Sequence, residues 1–234
     1  MQGIGIGISD FKMLRLRDNY FIDKSLFIKH IIDNQSGVTL ITRPRRFGKT
    51  LNMSMLRYYF DCNAKDTRKL FNGLKIMEQE EKYTSKQGYY PVIYMTLKDV
   101  QGTDFKTMML ALQTELTELF MEHAYILNSD KLFDIEKETY NKILNLRSNL
   151  VEVQNSLKLL SRILYKEFDR PAILLLDEYD VPLQNAYVEG YYDEAVKFFK
   201  TFYGTTFKDN PYLQKTVITG VSRVAKESIF SRSK

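Results

Sequence analysis

The sequence predicts an α/β protein in which a mainly parallel sheet is sandwiched by helices. Three observations predict it. Val38–Thr42 is a short β-branched run followed by a basic loop and then an amphipathic stretch to Leu56 that reads as a helix. Ala172–Leu176 is an uninterrupted apolar run, too short for a membrane span and right for a strand buried on both faces. Elsewhere, strand-like runs alternate with helical ones, which implies right-handed βαβ crossovers and a sheet covered on both sides.

In chain order, Asp23 or Ser25 can cap a helix that runs through about Asp33. Asn34–Gly37 is a turn, Val38–Thr42 a strand, and Lys49 to about Asp61 a helix. Asp66–Ser85 is polar and helical in part. Pro91–Leu97 (PVIYMTL) is a β-branched and aromatic strand. Thr103 or Asp104 caps a long helix to about Tyr125, whose Phe105, Met108, Met109, Leu112, Leu116, Leu119 and Phe120 follow the helical period and read as core. Residues 128–149 are highly charged with scattered apolar positions, and read as a helical or partly mobile insertion within a single domain spanning 1–234. Leu150–Phe168 is amphipathic and helical, and Asp169-Arg170-Pro171 ends it ahead of the apolar strand. Gly190 to about Thr206 is a helix packed through aromatics, Asp209-Asn210-Pro211 a turn, and Gln214–Thr219 a further strand ending in Gly220.

The chemistry sits where strands end. The loop Arg43-Pro44-Arg45-Arg46-Phe47-Gly48-Lys49-Thr50 lies between a strand and a helix. Loop backbone and helix N-terminus offer unpaired N–H groups and partial positive charge to a phosphate. Lys49 can reach β- and γ-phosphates, and the Thr50 hydroxyl can sit on Mg²⁺. The first glycine of the usual G-x-x-x-x-G-K-[ST] pattern is replaced by Arg43. The second motif is AILLLDEYD, which places Asp177 and Glu178 at the carboxyl end of a strand, where open α/β sheets bind ligands. Asp177 can hold the water shell of Mg²⁺, and Glu178 can polarise an attacking water. Each motif alone has a bland reading, a basic surface loop or a buried strand ended by an acidic turn. Both in this order favour a nucleoside triphosphate site held by Arg43 to Leu51, with Thr50 and Asp177 as metal ligands.

ITRPRRFGKTLNMSML, LLLDEYDVPL, ITGVSRVAKESIFS and the leading FKMLRLRDNYFIDKSLFI together resemble the AAA-ATPase-like family of bacterial and archaeal P-loop proteins, over nearly the whole chain. The arginine-rich loop is a peculiarity of that family. The resemblance implies a P-loop NTPase of the additional-strand, AAA-like type, with ATP and Mg²⁺ as ligands. It implies that the strand after the Asp-Glu strand carries a polar sensor near the γ-phosphate, which Thr219 or Ser222 fits. Arg223 and Lys226 are then candidates to read the γ-phosphate or to reach toward a neighbouring subunit. Their bland reading is a solvated turn. Members of the family often continue into a helical lid and a C-terminal nuclease-like domain. This chain is expected to represent the ATPase part alone.

Composition agrees with a soluble globular protein. The 234 residues are 44% hydrophobic and 27% charged. No apolar run approaches about 18 residues and the N-terminus lacks signal-peptide features, so no membrane association and a cytoplasmic location are expected. Cys62 is the single cysteine, which excludes an intramolecular disulfide and a cysteine zinc cluster. His30 and His123 stand apart and read as surface or packing residues, and Gly3, Gly5 and Gly7 as a flexible start. The net charge of +5 permits nucleic-acid contact, to which Arg43, Arg45 and Arg46 could contribute, but the other basic residues are interleaved with acids. Homo-oligomerisation is compatible with a trans arginine. The leading function is an Mg-dependent ATPase in which Lys49, Glu178, Thr219 and Arg223 act on the phosphates. The alternative is a nucleotide-binding switch with little or no hydrolysis. A kinase ranks lower because an adjacent Asp-Glu pair favours water over another acceptor. A GTPase ranks lowest, since Asn141-Lys142 is followed by Ile143-Leu144 rather than by x-Asp.

Overall fold

The computed structural model describes residues 5, 7–17, 19–64 and 67–221. Among them, four parallel strands form one sheet: β1 (Val38–Thr42), β2 (Val92–Thr96), β3 (Ala172–Asp177) and β4 (Leu213–Gly220), in the order β1-β4-β3-β2. Nine α-helices accompany them among the described residues: α1 (Phe11–Leu16), α2 (Leu26–Asp33), α3 (Lys49–Phe60), α4 (Glu81–Thr84), α5 (Phe105–Glu122), α6 (Asp134–Leu144), α7 (Leu150–Phe168), α8 (Val181–Glu189) and α9 (Tyr192–Phe207). The fold is the expected α/β arrangement, with β4 inserted between the strand ahead of the basic loop and the strand that ends in Asp177.

The two faces of the sheet can be read off the period-two alternation of its strands. On β3, Ile173 and Leu175 join Val92, Val217 and the α1–α3 residues Phe11, Ile28, Ile31, Met53, Leu56 and Phe60. Ala172, Leu174 and Leu176 face the other way, with Ile93, Met95 and Ile218, into a core supplied by α5–α9. β3 is buried along its whole length, which explains why its sequence is continuously apolar rather than alternating.

Helix boundaries follow local chemistry. Asp104 caps α5 in a reciprocal box with Thr107, and Asn149 does the same for α7 with Glu152. Asp169, in the left-handed region, ends α7. Within the charged stretch 128–149, α6 packs on α5 and α7 through Tyr140 and Ile143. Glu136 at its start, buried, binds Lys166 at 2.7 Å and Arg162 at 3.0 Å on α7. One difference from expectation stands out. The region after the Asp-Glu turn is a helix, α8, with Pro182 in its first turn. Gly190 is its left-handed C-terminal cap, not the start of the next helix, which begins at Tyr192. The stretch 67–85 is helical in part, as expected: two 3-10 turns, at Arg68–Phe71 and Lys75–Glu78, and the four-residue α4.

His123, at the end of α5, is packed inside rather than on the surface. Its Nδ1 lies 3.3 Å from the Tyr125 hydroxyl, and its Nε2 has no partner among the described residues. Burial, with Arg57 nearby, pushes the imidazole down to about 4. The folded state therefore keeps the ring neutral where the unfolded chain protonates it. The stability this contributes is complete above about pH 6.5 and is lost as pH falls toward about 4, a swing of roughly 3 kcal/mol at its limit. Denaturant titrations at pH 7.5 and 4.5 are expected to show a smaller acid loss for His123→Asn than for the wild type.

Candidate functional site

The loop between β1 and α3 is shaped by two left-handed residues, Arg46 (φ 67°) and Gly48 (φ 74°), the latter being the N-cap of α3. This conformation, not hydrophobic burial, folds the loop back over the helix start. Lys49 is almost buried, and its Nζ donates to the carbonyls of Arg43 (2.9 Å) and Pro44 (3.1 Å). The loop is joined to β4, where Arg43 N donates to Gly220 O at 3.2 Å.

At the end of β3 the chain turns sharply, with Glu178 in the left-handed region (φ 55°). Asp177 is 1% exposed and accepts the hydroxyl proton of Thr219, itself 1% exposed, on β4. The Glu178 N–H donates back to Thr219 Oγ1 at 3.3 Å, and Tyr179 N donates to Thr219 O at 3.0 Å. Thr219 thus ties the two halves of the Asp-Glu turn, and its one hydroxyl proton is committed to Asp177. Asp180, also buried, takes hydrogen bonds from Val221 N (2.9 Å) and Gln184 Nε2 (2.8 Å), which fixes the start of α8 against the end of β4.

A cavity of about 1110 Å³ opens between these elements, of the size that takes a whole cofactor-sized ligand. It brings together Arg45, Arg46, Gly48, Lys49, Thr50 and Leu51 from the loop and α3 with Glu178. Arg43 and Phe47 turn to the other side, toward a smaller cavity of about 260 Å³ that Lys49 and Thr219 share. No ion pair engages Arg43, Arg45 or Arg46 among the described residues. Partial burial, with Asp177 beside it, holds the Glu178 carboxyl above the ordinary carboxylate value, while Lys49, Lys98 and Arg45 pull it back. Ser222, Arg223 and Lys226 lie outside the described residues.

Two parts of the cavity wall were not foreseen. Lys98, Asp99 and Gln101 follow β2, whose end pairs with Asp177, so strand order alone brings them to the site. Gly7, expected only as part of a flexible start, lines the cavity together with Ile8 and Ser9. The signal that could have found Lys98 is its position directly past a strand whose carboxyl end faces the site.

This geometry coincides with a family assignment. The family model AAA-ATPase_like, described as predicted AAA-ATPase, matches residues 5–230. The chain belongs to the AAA-ATPase-like family. Neither a curated protein nor a solved structure matches it. The family's description points to ATP as a ligand, and the all-parallel sheet flanked by helices is consistent with a P-loop NTPase-like fold. No described helix is long and apolar enough to cross a membrane.

Proposed function

We propose that the chain binds Mg-ATP in the large cavity and hydrolyses it. The observation that carries this reading is the convergence of the Lys49 loop and Glu178 on one cavity, with Thr219 holding the Asp-Glu turn beside it. In this reading, backbone N–H groups of the loop and the start of α3 cradle the β-phosphate. Lys49 leaves the carbonyls of Arg43 and Pro44 for phosphate oxygens, while Arg45 and Arg46 add positive charge at the mouth. Thr50 and Asp177 would hold Mg²⁺. The donor set fits that ion: both are hard oxygen ligands, and no group of three or more His, Cys, Asp or Glu able to hold a metal exists among the described residues. Mg²⁺ is usually bound by one or two protein oxygens plus waters and substrate phosphates. When bound it would neutralise charge developing on the phosphate oxygens.

Glu178 takes the proton of a water that attacks the γ-phosphorus, the bond to the β–γ bridging oxygen breaks, and ADP and phosphate leave. Its raised pKa makes it a better base than a solvated glutamate. Thr219 keeps Asp177 oriented, and reading of the γ-phosphate by Thr219 requires its hydroxyl to turn away from Asp177. Arg223 is proposed as a further phosphate-reading cation. A cytoplasmic location, where ATP is plentiful, is consistent with this activity.

The test is calorimetric titration with Mg-ATP. Wild type is expected to bind, and Lys49→Ala to lose affinity by about 10²-fold, the order expected when a charge-assisted contact to phosphate is removed. Equal binding by both would sink the phosphate-loop reading. A second reading, a nucleotide switch without turnover, is favoured by one observation: the only hydroxyl proton of Thr219 is held by Asp177. Binding without phosphate release would select it.

A further inference from the structure

The segment ahead of α1 is fastened to the phosphate-loop helix by a single carboxylate. Asp10 Oδ1 caps α1 by accepting from Met13 N at 2.7 Å. Its Oδ2 accepts from Ser54 Oγ (3.2 Å) and Tyr58 Oη (2.9 Å), both on α3. Phe11 N donates to Ser54 Oγ at 2.9 Å, and the Phe11 ring is fully buried against Phe21 and Phe71. Ser54 lies one turn beyond Thr50 on the same face of α3. From this anchor the chain runs back along the cavity wall as Ser9, Ile8 and Gly7, in a cavity also lined by Lys98 and Glu178.

Three features make this more than packing. The segment contributes to the wall of the cavity itself and is not merely behind it. The three residues that line it, Gly7, Ile8 and Ser9, are uncharged beside a strongly cationic loop, so they offer backbone and uncharged side chains to a ligand rather than competing for its phosphates. Its anchor is far from weak: the Asp10 carboxyl accepts one backbone and two side-chain donors at once. The anchor also engages the very helix whose N-terminus would bind phosphate.

We propose that Gly7–Asp10 is a strap that closes one side of the nucleotide site, and that Asp10 is the positioning residue that couples it to α3. The proposal rests on the nucleotide reading given above. Binding of a triphosphate fixes the start of α3, α3 fixes Ser54 and Tyr58, and these hold the strap over the ligand. The residues ahead of β1 thereby become part of what distinguishes the occupied protein from the free one.

The experiment is hydrogen exchange of the full chain with and without saturating Mg-ATPγS, followed at the amides of residues 7–11 and, separately, of 44–50. In the wild type both segments are expected to slow. In Asp10→Ala the loop amides still slow at saturation, the strap amides do not, and affinity falls about ten-fold, less than for Lys49→Ala because Asp10 acts through the strap and not on the ligand. A double variant, Ser54→Ala with Tyr58→Phe, removes the bonds to Oδ2 while leaving the cap of α1 intact, and is expected to lose strap protection in the same way. Loop protection without strap protection in the wild type overturns the strap and leaves the nucleotide site standing. Wild-type strap protection in the double variant overturns the positioning role. Protection in neither segment, with no binding by calorimetry, removes the nucleotide reading and the strap with it.

Discussion

Glu178→Gln is expected to keep nucleotide binding and to lower the rate of ATP hydrolysis by roughly 10²–10⁴-fold. Glutamine has the same shape and meets the same left-handed backbone at this position (φ 55°), so the fold and the hydrogen bond from residue 178 N to Thr219 Oγ1 are retained. Stability is expected to stay within about 0.5 kcal/mol of wild type. What is removed is the ability to take a proton. The wild-type pH profile should carry the same signature. Burial and Asp177 raise the Glu178 pKa, so the rate should fall on acidification at a pH above the ordinary carboxylate range, because protonation destroys the base. The variant should lack that acid limb. Phosphate-release assays from pH 5 to 8 check both expectations. Turnover by Glu178→Gln at the wild-type rate would remove Glu178 from the mechanism.

Gly220→Ala is expected to be the most damaging small substitution in the sheet. A Cβ there would lie 2.6 Å from Tyr179 Cε1 and 2.7 Å from Asp180 Oδ1. Neither can step aside freely. Tyr179 is fully buried against Tyr203, and its carbonyl accepts the Tyr203 hydroxyl at 2.9 Å. Asp180 is held by Val221 N and Gln184. Overpacking of this kind costs about 1–3 kcal/mol. The strain falls on the strand end that presents Thr219 to Asp177 and accepts Arg43 N, so nucleotide affinity should drop with stability. Gly204→Ala is the matched control. It sits within α9 where an added Cβ meets nothing within 4 Å, and it should stabilise by about 0.5–1 kcal/mol. Thermal melts and Mg-ATP titration of the two variants should move in opposite directions in stability. Equal melts would show that the end of β4 relaxes around a methyl group.

Much of this architecture is written locally. β3 could be found because a strand buried on both faces must be apolar at every position, and α5 and α7 because one face of each is core. The basic loop and the Asp-Glu turn stand out in the sequence because unusual residues follow directly on strand-like runs, and both do lie at the carboxyl ends of strands. What was not legible depends on neighbours remote in sequence. No expected element covers α8; its signal is Pro182, which is at home in a first helical turn. Lys98 and Gln101 carry no motif and reach the site only because β2 pairs with β3. His123 is buried at the end of α5, beside Tyr125 and with Arg57 of α3 nearby, and that remote neighbour carries no local signal. Asp10 looks like an ordinary helix cap until Ser54 and Tyr58 arrive from α3.

The strand order carries a consequence for how the protein comes into being. β1, which bears the basic loop, pairs with β4 alone among the described strands, and Val38 meets Thr216 only after nearly the whole described chain has been laid down. Closing so long a loop is entropically costly and slow, and it brings its reward only at the end. A chain emerging from the ribosome at about 5–20 residues per second thus spends on the order of ten seconds or more with its loop made and its partner strand missing. Until β4 docks, Arg43 has no carbonyl to meet and Asp177 has no threonine to orient it. The basic loop and the Asp-Glu turn therefore reach their finished geometry only once synthesis has passed Gly220, in one late step rather than growing with chain length.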